Sequence, residues 1–226
     1  MPDAGEPAGE PAGEPAGEPA GERVGVGPWP GELPDDPRYD PELLAHGDRR
    51  NVVDRYRYWT VEAIVADLDH RRATDAFLHV AIENWAHDLN IGSVVRTANA
   101  FNVAGVHIVG RRRWNRRGAM VTDRYLHVDH HPDAAALVAW AAGAGPQGER
   151  LPIVGVDNVP GSVPLERRDL PARCVLLFGQ ESSGLTPEAQ AACDVVVHIT
   201  QHGSTRSLNA GAAAAIAMHS WALQHA

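Results

Sequence analysis

Lysine is absent from the chain, and all twenty basic side chains among its 226 residues are arginines. Arginine suits bidentate contacts to phosphate, but a total absence of lysine reads first as genomic composition. Cysteine occurs only twice, too few for a cysteine-rich zinc site. Cys174 and Cys193 stand in apolar surroundings and are expected as buried free thiols rather than a disulfide. No apolar run reaches membrane-spanning length, and the acidic, proline-rich N-terminus is unlike a signal peptide. The expectation is a soluble cytoplasmic protein with no membrane partner, long enough for one α/β domain with a sizeable core.

What is abundant is acid, and it is unevenly spread. The net charge is −9, yet residues 1–50 hold twelve acids and four arginines, while the remainder holds seventeen acids and sixteen arginines. The acidity therefore belongs to the N-terminal segment and does not argue against a polyanionic partner for the rest. Residues 5–20 are four copies of Gly-Glu-Pro-Ala, a period with no large apolar residue to bury, so it is expected to be disordered. Residues 21–50 stay rich in Pro, Asp and Gly and are expected as linker, with Trp29, Tyr39 and Leu43-Leu44 able to dock elsewhere. The domains are thus read as a 1–50 tail and linker and a 51–226 folded domain.

From Asn51 onward, strand and helix patterns alternate. Thr60 caps a helix through about Arg71, with Val61, Ile64, Val65 and Leu68 on one face. Strands are expected at Phe77–Ile82, Val106–Val109, Ile153–Val156, Cys174–Phe178 and Val195–Ile199. Helices are expected at Asn90–Phe101, Ala134–Ala142, after Thr186-Pro187, and over alanine-rich 209–223. The fold class this implies is α/β, a mostly parallel sheet with helices on both faces.

Three stretches carry chemistry. In the first, Asn90 begins a helix and Arg96 follows six residues later, where it can offer its fork to a phosphate. The second runs from a buried strand into Gly179-Gln-Glu181-Ser-Ser-Gly184-Leu185. Glycines there allow close backbone approach to a ligand; the carboxylate and the missing lysine argue against a phosphate cradle, and no Gly-x-Ser-x-Gly elbow is present. The third, Gly203-Ser-Thr-Arg-Ser207-Leu208-Asn209, lies between a strand and a helix, where open α/β sheets place ligand sites.

Taken together, Asn-x6-Arg-Thr-Ala, Gly-x-Glu-x-x-Gly-Leu and Gly-x-x-x-Ser-Leu-Asn resemble the three motifs of the SpoU/TrmH family of SPOUT RNA 2′-O-methyltransferases. The resemblance covers roughly residues 60–226. Three departures are Asn102, where the family usually has Gly, Thr200-Gln201, where it often has Pro-Met, and Ala210-Gly211, which replaces larger residues after Asn209. The resemblance implies a deep C-terminal trefoil knot, S-adenosylmethionine as cofactor, no metal, and a homodimer whose site borrows from both subunits. It assigns catalysis to Arg96, Asn90, Ser207 and Asn209, and cofactor contacts to Gly179, Ile199, Ser207 and Leu208, with Glu181 and Gly184 in the same loop. The substrate implied is RNA, tRNA ahead of ribosomal RNA. Arg96 is a poor literal base, because arginine keeps its proton to a pKa of about 12.5–13.8. Anchoring phosphate and stabilising a developing alkoxide suit it better.

Arg111-Arg112-Arg113-Trp114-Asn115-Arg116-Arg117 adds five arginines around one indole, the combination that grips irregular RNA by phosphate contact and base stacking. His127-Val-Asp129-His130-His131 fits no standard zinc spacing and is expected as a polar loop. Two other readings stand beside methyl transfer: an inactive RNA-binding protein on the same scaffold, and a hydrolase using Ser207 with a histidine such as His202.

Overall fold

A computed structural model describes residues 25–86 and 90–225. The Gly-Glu-Pro-Ala repeats lie outside the described residues. The described chain divides into two compact units, one ending at Trp59 and the other beginning at Thr60.

The first unit corrects the linker reading of residues 25–50. Helix α1 spans Pro41–His46, capped by the Asp40 carboxylate on the Glu42 and Leu43 amides. Trp29 packs edge-on against Tyr39 and Tyr58 at centroid distances of 5.7 and 5.3 Å. Asp48 is fully buried and accepts from the Arg50 guanidinium at 2.7–2.9 Å and from the Tyr58 amide at 3.0 Å. Burial alone would raise its pKa; the Arg50 and backbone donors outweigh that and hold it at about 2. The aromatic residues after Asn51 find their packing partners before it, which composition alone conceals.

The second unit is built on seven parallel strands: β1 (Phe77–Asn84), β2 (Gly105–Gly110), β3 (Val128–His131), β4 (Ile153–Val156), β5 (Val163–Pro164), β6 (Arg173–Phe178) and β7 (Val195–His198). Their order is β3-β2-β1-β6-β4-β7-β5, and every pairing between them is parallel. The helices are α2 (Val61–Arg71), α3 (Asn90–Ala100), α4 (Ala134–Ala141), α5 (Pro187–Ala192) and α6 (Ala210–His225). Thr60, Asp133 and Thr186 cap α2, α4 and α5 through side-chain oxygens. None of the described helices is long and apolar enough to cross a membrane.

The period of two along each strand divides the core. Leu78, Val80 and Ile82 of β1, with Leu176 and Phe178 of β6, pack under α3 and α6. Ala81, Val175 and Leu177 face the other way, against Leu137 of α4 and Ala189 of α5. Each large aliphatic side chain so buried contributes about 1.5–3 kcal/mol, and helices on both faces are what an all-parallel sheet requires.

Two strands went unpredicted. His127–His131 was expected as a loop, but Val128–His131 forms edge strand β3 beside β2. Its polar residues are accommodated because His131 Nε2 meets His107 Nδ1 at 3.0 Å, and His107 Nε2 meets His79 Nδ1 at 3.0 Å. The two-residue β5 is too short to leave a pattern. Asn102 takes the left-handed conformation, φ +48°, that its place in the resemblance requires.

Candidate active site

The carboxyl ends of β4, β6 and β7 open onto one cleft of about 310 Å³, at the end of a parallel sheet where ligands bind. Three segments wall it: Val156–Val159 after β4, Phe178–Gly184 after β6, and His198, Ile199, Gln201 and Arg206–Leu208 after β7. All six expected cofactor contacts, Gly179, Glu181, Gly184, Ile199, Ser207 and Leu208, line it.

The wall after β6 is a tight reversal. Gln180 and Gly184 exchange two backbone hydrogen bonds at 2.9–3.0 Å. A side chain on Gly179 would strike the backbone of Gly184 and Leu185, so the turn closes only around glycine. Gly184 stands at φ +66° against the Asp157 carboxylate, which accepts from the Leu185 amide at 2.7 Å. Behind the turn lies Glu83, fully buried at the end of β1. It accepts from the Thr186 amide and hydroxyl at 2.8 and 2.7 Å and from the Trp85 indole at 2.9 Å. A buried carboxylate needs such donors to remain in place.

Three residues from the three motifs meet beside the cleft. Glu181 accepts from the Asn90 side-chain amide at 3.1 Å and from the Ala210 amide at 2.7 Å. Asn209 Nδ2 donates to Asn90 Oδ1 at 2.8 Å. Asn209 Oδ1 in turn accepts from the Gly211 and Ala212 amides, capping α6. Glu181 also places its charge at the α6 amino end, where the helix dipole favours an anion. Sequence separations of 91 and 119 residues close into one cluster.

Arg96 is not in this cluster. It is exposed on α3 and does not line the cleft of its own chain. Ser207 is exposed at the cleft, and among the described residues no hydrogen bond joins it to His202. The serine–histidine pair present is another one: Ser162 Oγ lies 2.9 Å from His198 Nδ1 and donates to the Val159 carbonyl at 2.7 Å. This serine has both the Val159 carbonyl and the His198 ring as neighbours and is not Ser207, the residue on which the hydrolase reading rests.

The arginine loop leaves β2 at Gly110, φ +104°, and buried Asn84 donates to the carbonyls of Arg111 and Arg113 at 2.6 and 2.9 Å. Arg111, Arg112, Arg113, Arg116 and Arg117 are all exposed. Trp114 departs from the expected free stacking ring: it is half-buried against the core, and the Arg116 guanidinium lies 5.4 Å from its centroid. The loop presses on α3 at Gly92, where a Cβ would come within 2.7 Å of the Gly118 and Ala119 nitrogens. This close approach accounts for the small residues at the start of α3.

The histidines after β2 take separate partners: His127 binds Asp69, His130 binds the Gly110 carbonyl, and His131 joins the buried histidine row. Among the described residues no three His, Cys, Asp or Glu side chains converge as a metal site. Burial pushes the Cys174 and Cys193 thiols up to about 12, so neither is a ready nucleophile.

Sequence reasoning missed Asp157, Glu83, Asn84, His198 and Arg206. For Asp157 the signal was present, an acid directly after a buried apolar strand. For the others the partner segments are too distant in sequence to be guessed.

An all-parallel α/β sheet with a polar, glycine-walled cleft at its carboxyl end is the arrangement in which open α/β proteins bind ligands, and here three separate loops wall the cleft. Residues 77–219 match the SpoU rRNA Methylase family, and the chain belongs to it. Among curated relatives, the 23S rRNA (uridine(2479)-2′-O)-methyltransferase of Streptomyces viridochromogenes is 27% identical over 182 residues, 77% of this chain and 62% of that protein. The tRNA (guanosine(18)-2′-O)-methyltransferase of Escherichia coli (strain K12) is 29% identical over 160 residues, 70% and 67% of the two chains. The matched region spans less than two thirds of the rRNA enzyme's length, and 45% of a tRNA/rRNA methyltransferase from Mycobacterium sp. (strain KMS). Among solved structures, the SpoU methyltransferase AviRb from Streptomyces viridochromogenes, in complex with AdoMet, superposes with a TM-score of 0.59 at 26% identity, covering 70% of this chain and 61% of that one. The A. aeolicus TrmH/SpoU tRNA modifying enzyme gives 0.60 at 22% identity, covering 73% and 83%, a likeness of fold.

Proposed function

We propose that this chain methylates a ribose 2′-hydroxyl in structured RNA, with tRNA as the substrate class and S-adenosylmethionine as the methyl donor. The observation that carries the reading is the junction of Asn90, Glu181 and Asn209 beside the glycine-walled cleft. The membership of its family and the names of its relatives support the same reaction.

The cleft fits the cofactor by its chemistry. Its lining combines Asp157 and Glu181 carboxylates, suited to a sulfonium and an ammonium group, with apolar Val156, Phe178, Ile199 and Leu208. Gly179 and Gly184 keep side chains out of that wall. When bound, S-adenosylmethionine supplies an electrophilic methyl group that an alkoxide-like oxygen can take. The chain's part is to hold and to polarise. Glu181 fixes the amino end of α6 and the Asn90 amide, and so sets the position of Ser207 and Leu208. Ser207 offers an exposed hydroxyl for orienting a ribose. Arg96 stabilises negative charge developing on the attacking 2′-oxygen as the hydroxyl proton passes to solvent water.

Because Arg96 lies outside the cleft of its own chain, the proposal includes a homodimer in which it serves the neighbouring site. The outward face of α6 supports this: Ala212, Ile216, His219 and Leu223 form one exposed stripe, with Ile216 43% and Leu223 75% exposed. The proposal extends to the chain path, a deep trefoil knot formed where the three loop walls gather.

The deciding experiment is tritiated methyl transfer to total tRNA and to ribosomal RNA from a strain lacking this protein, with mass spectrometry locating the new 2′-O-methyl group. Incorporation into tRNA is expected. Incorporation into ribosomal RNA alone would replace the substrate class. Binding of RNA with no transfer to either pool would replace the reaction with the inactive RNA-binding reading.

A further inference from the structure

Residues 199–209 join β7 to α6, and every one from 202 to 209 is exposed. This loop presents Ser204, Thr205, Arg206 and Ser207 in succession, three hydroxyls and a guanidinium. Of these, Arg206 and Ser207 line the cleft. The Arg206 backbone is tied to the wall after β4, where Asn158 Nδ2 donates to its carbonyl at 3.3 Å. Among the described residues its guanidinium has no hydrogen-bonding or ionic partner, whereas Arg150, Arg173 and Arg116 each pair with an acid.

The other formal charges lining the cleft are both carboxylates, and both are engaged. Asp157 accepts from the Leu185 and Asn158 amides, and Glu181 from Asn90 and Ala210. A polyanion approaching this cleft therefore meets two fixed negative charges. It needs a cation at the rim to offset them. Arg96, the arginine that the motif singles out, is not there in the same chain. Arg206 is.

We propose that Arg206 anchors a backbone phosphate of the RNA beside the target ribose, with Ser204 and Thr205 as neighbouring donors to the same strand. The inference rests on the proposed RNA-methylating reading and names a substrate-positioning contact within it. An arginine fork suits a phosphodiester's two free oxygens. The alternative anion is the carboxylate of the methyl donor. The exposed run of donors argues for RNA, since a small ligand enclosed in the cleft has no use for a row of groups facing solvent. Asp157 and Glu181 would also repel a carboxylate placed between them.

The test compares the full chain with Arg206→Ala and Arg206→Lys. Three quantities are read: affinity for total bacterial tRNA across a salt series, S-adenosylmethionine affinity by calorimetry, and methyl-transfer kcat and KM for tRNA. A phosphate anchor predicts tRNA binding weakened about three- to tenfold in the alanine variant. The slope of log K against log salt should flatten by about 0.7–0.9, the share of one phosphate. KM for tRNA should rise more than kcat falls, with cofactor affinity unchanged. The lysine variant should recover most of the salt slope but only part of the affinity, because it keeps the charge and loses the fork. Weakened cofactor affinity with an unchanged tRNA slope would overturn the proposal and assign Arg206 to the donor's carboxylate. No change in any quantity would overturn it as solvated surface. Should the wild-type chain transfer no methyl group at all, the functional reading fails, and the slope comparison still judges the anchor.

Discussion

Glu181 has more consequences than any other side chain in the cleft. One carboxylate oxygen, Oε2, takes both the Asn90 amide and the Ala210 backbone N–H, so shortening the residue orphans donors from two motifs at once. Glu181→Ala is expected to weaken S-adenosylmethionine binding at least tenfold and to lower stability by about 1–2 kcal/mol, the cost of unmade bonds to a charged acceptor. Calorimetry and urea unfolding on one preparation check both. Arg96→Ala should differ in kind. The residue is exposed, with no role in the cleft of its own chain, so cofactor affinity and stability should be unchanged while methyl transfer is abolished. If the proposed dimer shares sites, mixing Arg96→Ala with Glu181→Ala subunits should restore part of the activity, because each hybrid holds one intact cleft and one intact arginine. No recovery in exchanged dimers would place Arg96 in its own subunit's site.

At the scale of elements, the histidine row across β1, β2 and β3 makes the sheet sensitive to acid. Burial lowers the pKa of His79 to about 4 and that of His107 to about 2, and lowers His131 as well. Trp140 of α4 lies tilted over His107, ring centroids 4.0 Å apart, and the middle ring is fully buried. The rings are neutral in the fold and protonate near 6.5 once unfolded. Their stabilisation is therefore complete above about pH 6.5 and is lost as pH falls toward the folded values. By pH 5 the loss is about 2 kcal/mol for each deeply buried ring. Urea midpoints at pH 7 and pH 5 should show the drop, and His107→Gln should reduce it. A pH-independent midpoint would mean that the rings are hydrated. The arginine loop invites a second measurement. Replacing Arg112, Arg113 and Arg117 with Ala should flatten the tRNA salt slope by about 0.7 for each phosphate no longer neutralised. Trp114→Ala should instead lower stability, because the ring is packed against the core.

The same elements show what was legible beforehand. Strands β1, β2, β4, β6 and β7 and all the helices from α2 to α6 announced themselves by apolar period, caps and alanine content. The three motifs named every residue that now meets around Glu181 except the backbone of Ala210. What stayed hidden was pairing at a distance. Nothing local to Glu83 says that Thr186 will cover it, and nothing local to Val128-Asp-His-His says that His107 will pair with its last residue. Arg96 and Trp114 were placed by type, and type does not say which surface a residue faces.

For the whole molecule, the informative boundary is Trp59–Thr60 rather than residue 50. Removing residues 1–24 is expected to leave the melting temperature and cofactor affinity unchanged. Removing residues 1–50 takes away Trp29, Arg38 and Asp48, so Tyr58 loses the ring it packs on and the carboxylate its amide donates to, and Trp59 loses the Arg38 guanidinium over its face. That variant should still bind S-adenosylmethionine, because every cleft residue follows Thr60, but it should aggregate more readily and lose the protease resistance of the 25–59 segment. Light scattering and limited proteolysis of the two truncations separate these outcomes.

The cluster of Asn90, Glu181 and Asn209 also sets a schedule for synthesis. A ribosome releases Asn90 first, Glu181 ninety-one residues later and Asn209 twenty-eight after that. Until the last of these has cleared the exit tunnel, the amino end of α6 has no cap and the cleft lacks one of its three walls. Under the proposed function, a nascent chain tethered to its own ribosome presents the Arg111–Arg117 loop before the cleft proposed for the methyl donor is complete.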